Sequence, residues 1–207
     1  MEKPNLPAIT WPNFDNDADY KAWVSQAILA YKLMWEDNPT EADFKPASPQ
    51  TISKLEAQLG CALPNALKNY HLNFGVTNLA ERLNELDIEH DYGIKPLLEA
   101  YPGIVDMELS LAEMDLVEQL IAFGDCLGNG NMWCFHRTNQ KVYYFDNDSA
   151  PRLTHMFDDV KDYLDVLMLM NIANAHADFD EVEDAIDLYE PILTERFGKG
   201  FVKKWTY

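Results

Sequence analysis

Residues 122–148 read AFGDCLGNGNMWCFHRTNQKVYYFDND and admit two readings. The glycines at 124, 128 and 130 could cradle a phosphate, or they could turn the chain between strands. A phosphate loop of the Walker type needs G-x-x-x-x-G-K-[ST], so that a lysine and a hydroxyl reach phosphate and magnesium. Five positions after Gly124 stands Asn129, five after Gly128 stands Trp133, and no Lys-Ser or Lys-Thr pair follows. A dinucleotide fingerprint needs G-x-G-x-x-G leading into a helix. Gly128-Asn129-Gly130 leads instead into NMWCFH, which is strand-type sequence. Asp125, Gly128, Asn129 and Gly130 are residues that tolerate positive φ in turns. The stretch therefore reads as strand, tight loop, strand, turn, strand, with strands over 119–123, 131–136 and 141–146. No nucleotide and no other cofactor is expected.

Working outward, residues 157–170 carry Val160, Tyr163, Leu164, Leu167 and Met168 at helical spacing. An acidic helix is expected over about 178–197, interrupted near Pro191. Upstream, Ser48-Pro49 opens a helix, with Ser48 as N-cap and Pro49 in the first helical position. Ile52, Leu55 and Leu59 form its apolar stripe and Gly60 its C-terminal stop. A short helix follows Pro64 and closes at 73–75. Residues 97–101 suggest a helical turn, and 104–111 alternate as a strand would. At the N-terminus, 17–35 read as a helix that Asp17 or Asp19 can cap, and the prolines within 36–47 mark a loop. Strands follow one another without helical crossovers, so the expected class is α+β with an antiparallel sheet packed by helices.

The order of these pieces resembles the SUKH superfamily. The motifs that carry the resemblance are I-x-x-L-E-x-x-L-G (Ile52, Leu55, Glu56, Leu59, Gly60) and L-P-x-x-L-x-x-Y (Leu63, Pro64, Leu67, Tyr70). They are followed by the turn Asn73-Phe74-Gly75, the F-G-D strand-turn-strand, the V-Y-x-x-D hairpin strand and an F-x-D-Y-L-type helix. The resemblance covers about residues 48–170. It implies a domain of those bounds, with 1–47 as an N-terminal helical extension and 171–207 as an acidic C-terminal one. The superfamily includes fungal cell-wall regulators and many bacterial immunity proteins. The function implied is stoichiometric neutralisation of a cognate toxin domain of a basic, nuclease type. The alternative is a regulatory or scaffold module without a toxin partner.

The net charge of −19, from 16 Lys+Arg against 35 Asp+Glu, fits such a partner. An acidic surface repels nucleic acid and anionic membranes and attracts basic proteins. Three sparse cysteines, Cys61, Cys126 and Cys134, make no disulfide framework. No apolar run has the form of a signal peptide or the length of a membrane span, so a cytoplasmic location is expected. Asp15, Asp17 and Asp19 mimic the start of a calcium loop. Its sixth and twelfth positions hold Tyr20 and Gln26 instead of Gly and Glu, so these acids read as a helix start. The five histidines show no local ligand spacing, and no G-x-S-x-G elbow is present. Cys134, between Trp133 and Phe135, reads as a core residue. Neither a metal nor an enzymatic activity is expected.

Three acidic clusters remain: around Glu81–Asp91, around Glu108–Glu118, and from Asp178 to Asp187. Tyrosines beside them, Tyr92, Tyr101, Tyr143 and Tyr144, are candidate anchors. The expected partner-binding residues are Asp87, Glu89, Asp91, Glu108, Tyr101, Tyr143, Asp146 and Asp148. The 87–91 group is favoured because it lies inside the SUKH-like region.

Overall fold

A computed structural model describes residues 4–77, 79–125 and 129–205. In chain order the elements are α1 (Asp17–Lys32), α2 (Pro49–Leu59), α3 (Asn65–Asn73), β1 (Arg82–Leu83), β2 (Lys95–Pro96) and α4 (Leu97–Ala100). Then come α5 (Leu111–Val117), β3 (Leu120–Asp125), β4 (Met132–His136), β5 (Val142–Phe145) and β6 (Leu153–Phe157). The chain ends in α6 (Val160–Asp180), α7 (Ile186–Phe197) and α8 (Lys199–Trp205). All named strand pairs are antiparallel, in the order β1-β3-β4-β5-β6, with β2 also beside β3. The α+β class follows from these pairings.

The chain divides into two compact units. One comprises 45–76 and 81–163; the other comprises 1–44, 77–80 and 164–207.

In the sheet-bearing unit, α2 is built as its sequence demands. The Ser48 side chain accepts the Thr51 N–H at 3.1 Å, Pro49 starts the helix, and Gly60 ends it at φ +67°. Ile52, Leu55 and Leu59 are buried. Glu56 ties α2 to α3 and the link between them, accepting the Leu63 N–H at 2.9 Å and pairing with Lys68 Nζ at 2.7 Å. Burial works against its charged form, but the bonds from Lys68 and Leu63 prevail and hold the carboxyl below the ordinary value. This is the physical content of the glutamate in the I-x-x-L-E-x-x-L-G pattern. Gly75 closes α3 at φ +71°, where a Cβ would lie 1.9 Å from the Lys45 carbonyl oxygen. Ser48→Ala removes the cap of α2 and should lower unfolding stability by about 1 kcal/mol. Denaturant titration reads this as a lower midpoint at unchanged slope.

The sheet is covered on both faces. Side chains alternate across a strand, so Phe123, Trp133, Phe135 and Phe157 share one side. There Tyr163 packs edge-on to Phe123 (5.2 Å) and against Trp133 (4.9 Å). On the other side, Leu120, Ala122, Cys134, Phe145 and Leu153 form a cluster with Leu97, Ile104 and Val117. Residues 97–117 therefore form a lid over that second face. Cys134 is fully buried there, as its apolar neighbours require.

The lid corrects one expectation. Residues 104–111 are not a strand. Pro102–Asp106 form a 3₁₀ turn, and Leu111 begins α5. Ser110 and Glu113 make a reciprocal capping box that starts this helix, and Pro102 opens the turn before it. Phe157 is likewise not in a helix but ends β6. Asp159 accepts the Lys161 N–H at 2.7 Å at the start of α6.

In the second unit, Asn16, not Asp17 or Asp19, caps α1, accepting the Asp19 N–H at 2.9 Å. The Tyr20 hydroxyl donates to Asp165 at 2.7 Å, and Trp11 packs edge-on to Phe197 at 5.4 Å. His176 Nε2 lies 2.8 Å from the Pro7 carbonyl oxygen. Asn171, on α6, spends its amide oxygen on the Ala80 N–H at 2.8 Å. The break in the acidic C-terminal region is not at Pro191, which α7 accommodates. It falls after Asp180, where Glu181 takes φ +55°. A proline removes a single N–H from the ladder, whereas a left-handed residue redirects the chain.

Candidate partner-binding surface

The glycine-rich stretch is a turn system. Ala122 and Gly124 flank a bulge between β3 and β4, which seats Gly124 opposite Trp133. Gly128 and Cys126 lie outside the described residues. Gly130 takes φ +88°, the left-handed region that favours glycine. Around it, Asn129 Oδ1 accepts the Asn131 N–H, and Asn147 Nδ2 donates to the Asn129 carbonyl. Asn131 accepts the Asn147 N–H and donates to the Tyr144 hydroxyl at 2.9 Å. The asparagines thus tie the β3–β4 connection to the end of β5. These side-chain groups are spent on the protein itself.

Asp87, Glu89 and Asp91 project from a loop that joins β1 to β2. All three are exposed. The loop is closed by Glu85 N–H to the Tyr92 carbonyl and Ile94 N–H to the Glu85 carbonyl, each 2.8 Å. Asp87 Oδ1 accepts the Glu89 N–H, and Asn84 Nδ2 donates to the Gly93 carbonyl. A Cβ on Gly93 would fall 2.1 Å from the Asp87 carbonyl oxygen, so the loop's two limbs touch there. Beside the acids, the Arg82 guanidinium sits 4.2 Å over the half-exposed Tyr92 ring. One side of the loop borders a groove of about 550 Å³, whose lining includes Lys45, Lys54, Glu85 and Asp87. The charge at this loop is therefore mixed.

Tyr101, Tyr143 and Glu108 belong to the lidded face. Tyr101 packs on Phe145 at 5.2 Å, and Tyr143 lies 5.3 Å from His155. Both tyrosines are half-buried against the cluster under the lid. Glu108 is exposed between the 3₁₀ turn and α5. Glu113, its neighbour in the same acidic group, is committed locally. Bonds from the Ser110 hydroxyl and N–H and from the Arg152 N–H hold its carboxyl below the ordinary value.

Asp146 and Asp148 sit on the β5–β6 turn. Asp146 accepts the N–H groups of Asp148 and Ser149, which shapes the turn, while Asp148 is exposed. Tyr144 is not available as an anchor. It is 3% exposed, packed 4.8 Å from Trp133 and bonded to Asn131. The C-terminal acids are exposed, but they are spread over the end of α6, the break and the start of α7 rather than one helix.

Sequence reasoning missed the exposed apolar residues of the lid. Leu98, Val105, Leu111 and Met114 are 37%, 72%, 82% and 54% exposed. Val105 and Leu111 lie in the aliphatic and acidic stretch 104–111 that read as an alternating strand, and Leu98 lies in the expected helical turn over 97–101.

The histidines serve unrelated local roles. His90 and His136 accept backbone N–H groups, His155 lies 3.4 Å from Asp158, and His71 is buried. Among the described residues no three His, Cys, Asp or Glu side chains gather as metal ligands do. None of the described helices is long and apolar enough to cross a membrane.

An antiparallel sheet with residues 97–117 over one face and Tyr163 packed on the other is an α+β arrangement consistent with a SUKH-like domain. The model of the SMI1 / KNR4 family (SUKH-1) matches residues 46–166, and the chain belongs to this family, which includes immunity proteins. No curated protein matches the chain.

Proposed function

We propose that the protein is an immunity protein that binds the toxic domain of a bacterial toxin and blocks it stoichiometrically in the cytoplasm. Membership of a family that includes immunity proteins carries this reading. The charge supports it: at −19, the chain is complementary to a nuclease-type toxin whose substrate surface must be basic. Asp87, Glu89 and Asp91 stand on a loop braced by its own hydrogen bonds, so little order is lost when a partner docks. The protein performs no reaction of its own; it acts by occupancy. Occupancy has to be tight, because one free toxin enzyme turns over many substrate molecules. A Kd of about 10⁻¹³ M or below is expected, as known nuclease–inhibitor pairs reach.

The test is rescue. A toxin domain of the basic nuclease type, taken from a reading frame adjoining this chain's gene where one is found, is expressed from an inducible promoter, with and without the chain. Growth should be restored only when the chain is present, and the two proteins should co-elute in equal amounts. Growth arrest despite confirmed expression of the soluble chain would reject the reading.

A further inference from the structure

Residues 97–117 do two things at once. Their inward side closes the sheet: Leu97, Ile104 and Val117 are buried, with Tyr101, Met107 and Leu116 packed against the same cluster. Their outward side is apolar where solvation would favour polar residues. Leu98, Val105, Leu111 and Met114 fall within 17 positions, and Leu111 and Met114, three apart on α5, share a helix face. Scattered exposed aliphatics are ordinary, but here four fall on one segment, and two of them sit side by side on α5. The core does not need these four side chains, because the inward residues already fill it.

Charge identifies what covers them. From Pro96 to His136 the chain has no lysine or arginine, and the lid carries Asp106, Glu108 and Asp115 as exposed acids. Arg152, whose N–H reaches Glu113, turns its guanidinium to the Asn147 carbonyl. A second copy of this chain would bring the same carboxylates against these, and like charges facing each other in a drying interface are strongly unfavourable. Nucleic acid and anionic lipid are excluded by the same sign. The geometry points to the lid as the docking face for a basic protein surface, whose aliphatic or aromatic side chains meet Leu111 and Met114 while its lysines and arginines meet the surrounding acids. The 87–91 loop, with Lys45, Lys54 and Arg82 nearby, then steers the approach, and the lid supplies the affinity. That the basic partner is the toxin domain rests on the immunity reading.

The experiment compares three full-length chains: wild type, Leu111→Ser/Met114→Ser, and Asp87→Lys/Glu89→Lys/Asp91→Lys. Binding to the toxin domain used in the rescue experiment is followed by biolayer interferometry. Thermal melts confirm folding, and hydrogen exchange on the wild-type complex gives a readout that needs no variant. The serine pair should weaken binding about 30-fold or more through faster dissociation, as loss of a central apolar anchor does. The lysine triple should slow association and leave dissociation within about threefold of wild type. Residues 98–116 should gain exchange protection in the complex. Wild-type binding with an unaffected serine pair and no protection of the lid overturns the docking face and leaves the immunity reading standing. Failure of the wild type to bind overturns both. A wild-type dimer in sedimentation that the serine pair dissociates overturns the assignment by showing the occupant to be a second copy.

Discussion

Association with the proposed toxin partner is expected to slow by about 100-fold between roughly 0.01 and 1 M salt, because steering by opposite charge is lost as screening shortens from about 30 to 3 Å. The cause on this side is the −19 net charge, presented in part by the exposed acids of the β1–β2 loop and the lid. Dissociation should change far less, since contacts already formed are desolvated and poorly screened. The lysine triple at 87, 89 and 91 should reduce both the low-salt rate and the steepness of its salt dependence. Stopped-flow mixing across a salt series measures both. A rate flat with salt, with the triple indistinguishable from wild type, would reduce the acidic surface to a solubility device. The immunity reading would then rest on family membership alone.

Acidification should destabilise the fold through His71 by about 3 kcal/mol. This side chain, on α3, is fully buried, and among the described residues neither ring nitrogen has a hydrogen-bond partner. Burial pushes its pKa down to about 4. In the unfolded chain the ring titrates near its ordinary value of about 6.5. As pH falls below that value, the unfolded state takes up a proton that the folded state refuses, so stability is lost. The loss proceeds toward about pH 4, where the folded state begins to protonate too. Each pH unit in that window costs at most about 1.4 kcal/mol. His71→Phe keeps an aromatic ring, and the backbone carbonyl at 71 still accepts the N–H groups of Ala47 and Gly75. The difference in unfolding free energy between variant and wild type should therefore widen by about 3 kcal/mol from pH 7 to pH 4. Carboxylate titration is common to both proteins and cancels. Parallel stability curves would show that water or relaxation reaches the ring.

Much of the fold is legible because its signals are local. The Ser48–Pro49 start and Gly60 stop of α2 are backbone chemistry, and the short polar links between β3, β4 and β5 permit only antiparallel neighbours. The strands that were not legible depend on partners. Arg82–Leu83 and Lys95–Pro96 are strands only because the edge of β3 pairs with them. Leu153–Phe157, with Thr154 and His155 in its middle, is extended because it completes the ladder on β5. In the lid, aliphatic residues at alternate positions mimicked a strand. The capping box of Ser110 and Glu113 made a helix of residues 111–117.

The candidate surface divides in the same way. Composition alone determined that the protein is acidic, because charge counts survive any arrangement of the chain. The α+β class and the family likeness were also readable, since order and spacing along the chain carry them. Which acids face outward, and beside what, was not. Tyr143 and Tyr144 are adjacent and chemically identical, yet strand alternation places Tyr144 beside Trp133 and Asn131 and Tyr143 against the lidded cluster. Leu109 and Leu111 are two residues apart, yet one packs against the cluster and the other is 82% exposed. The tertiary structure decided both, because register and packing, not residue type, determine which side of an element meets water.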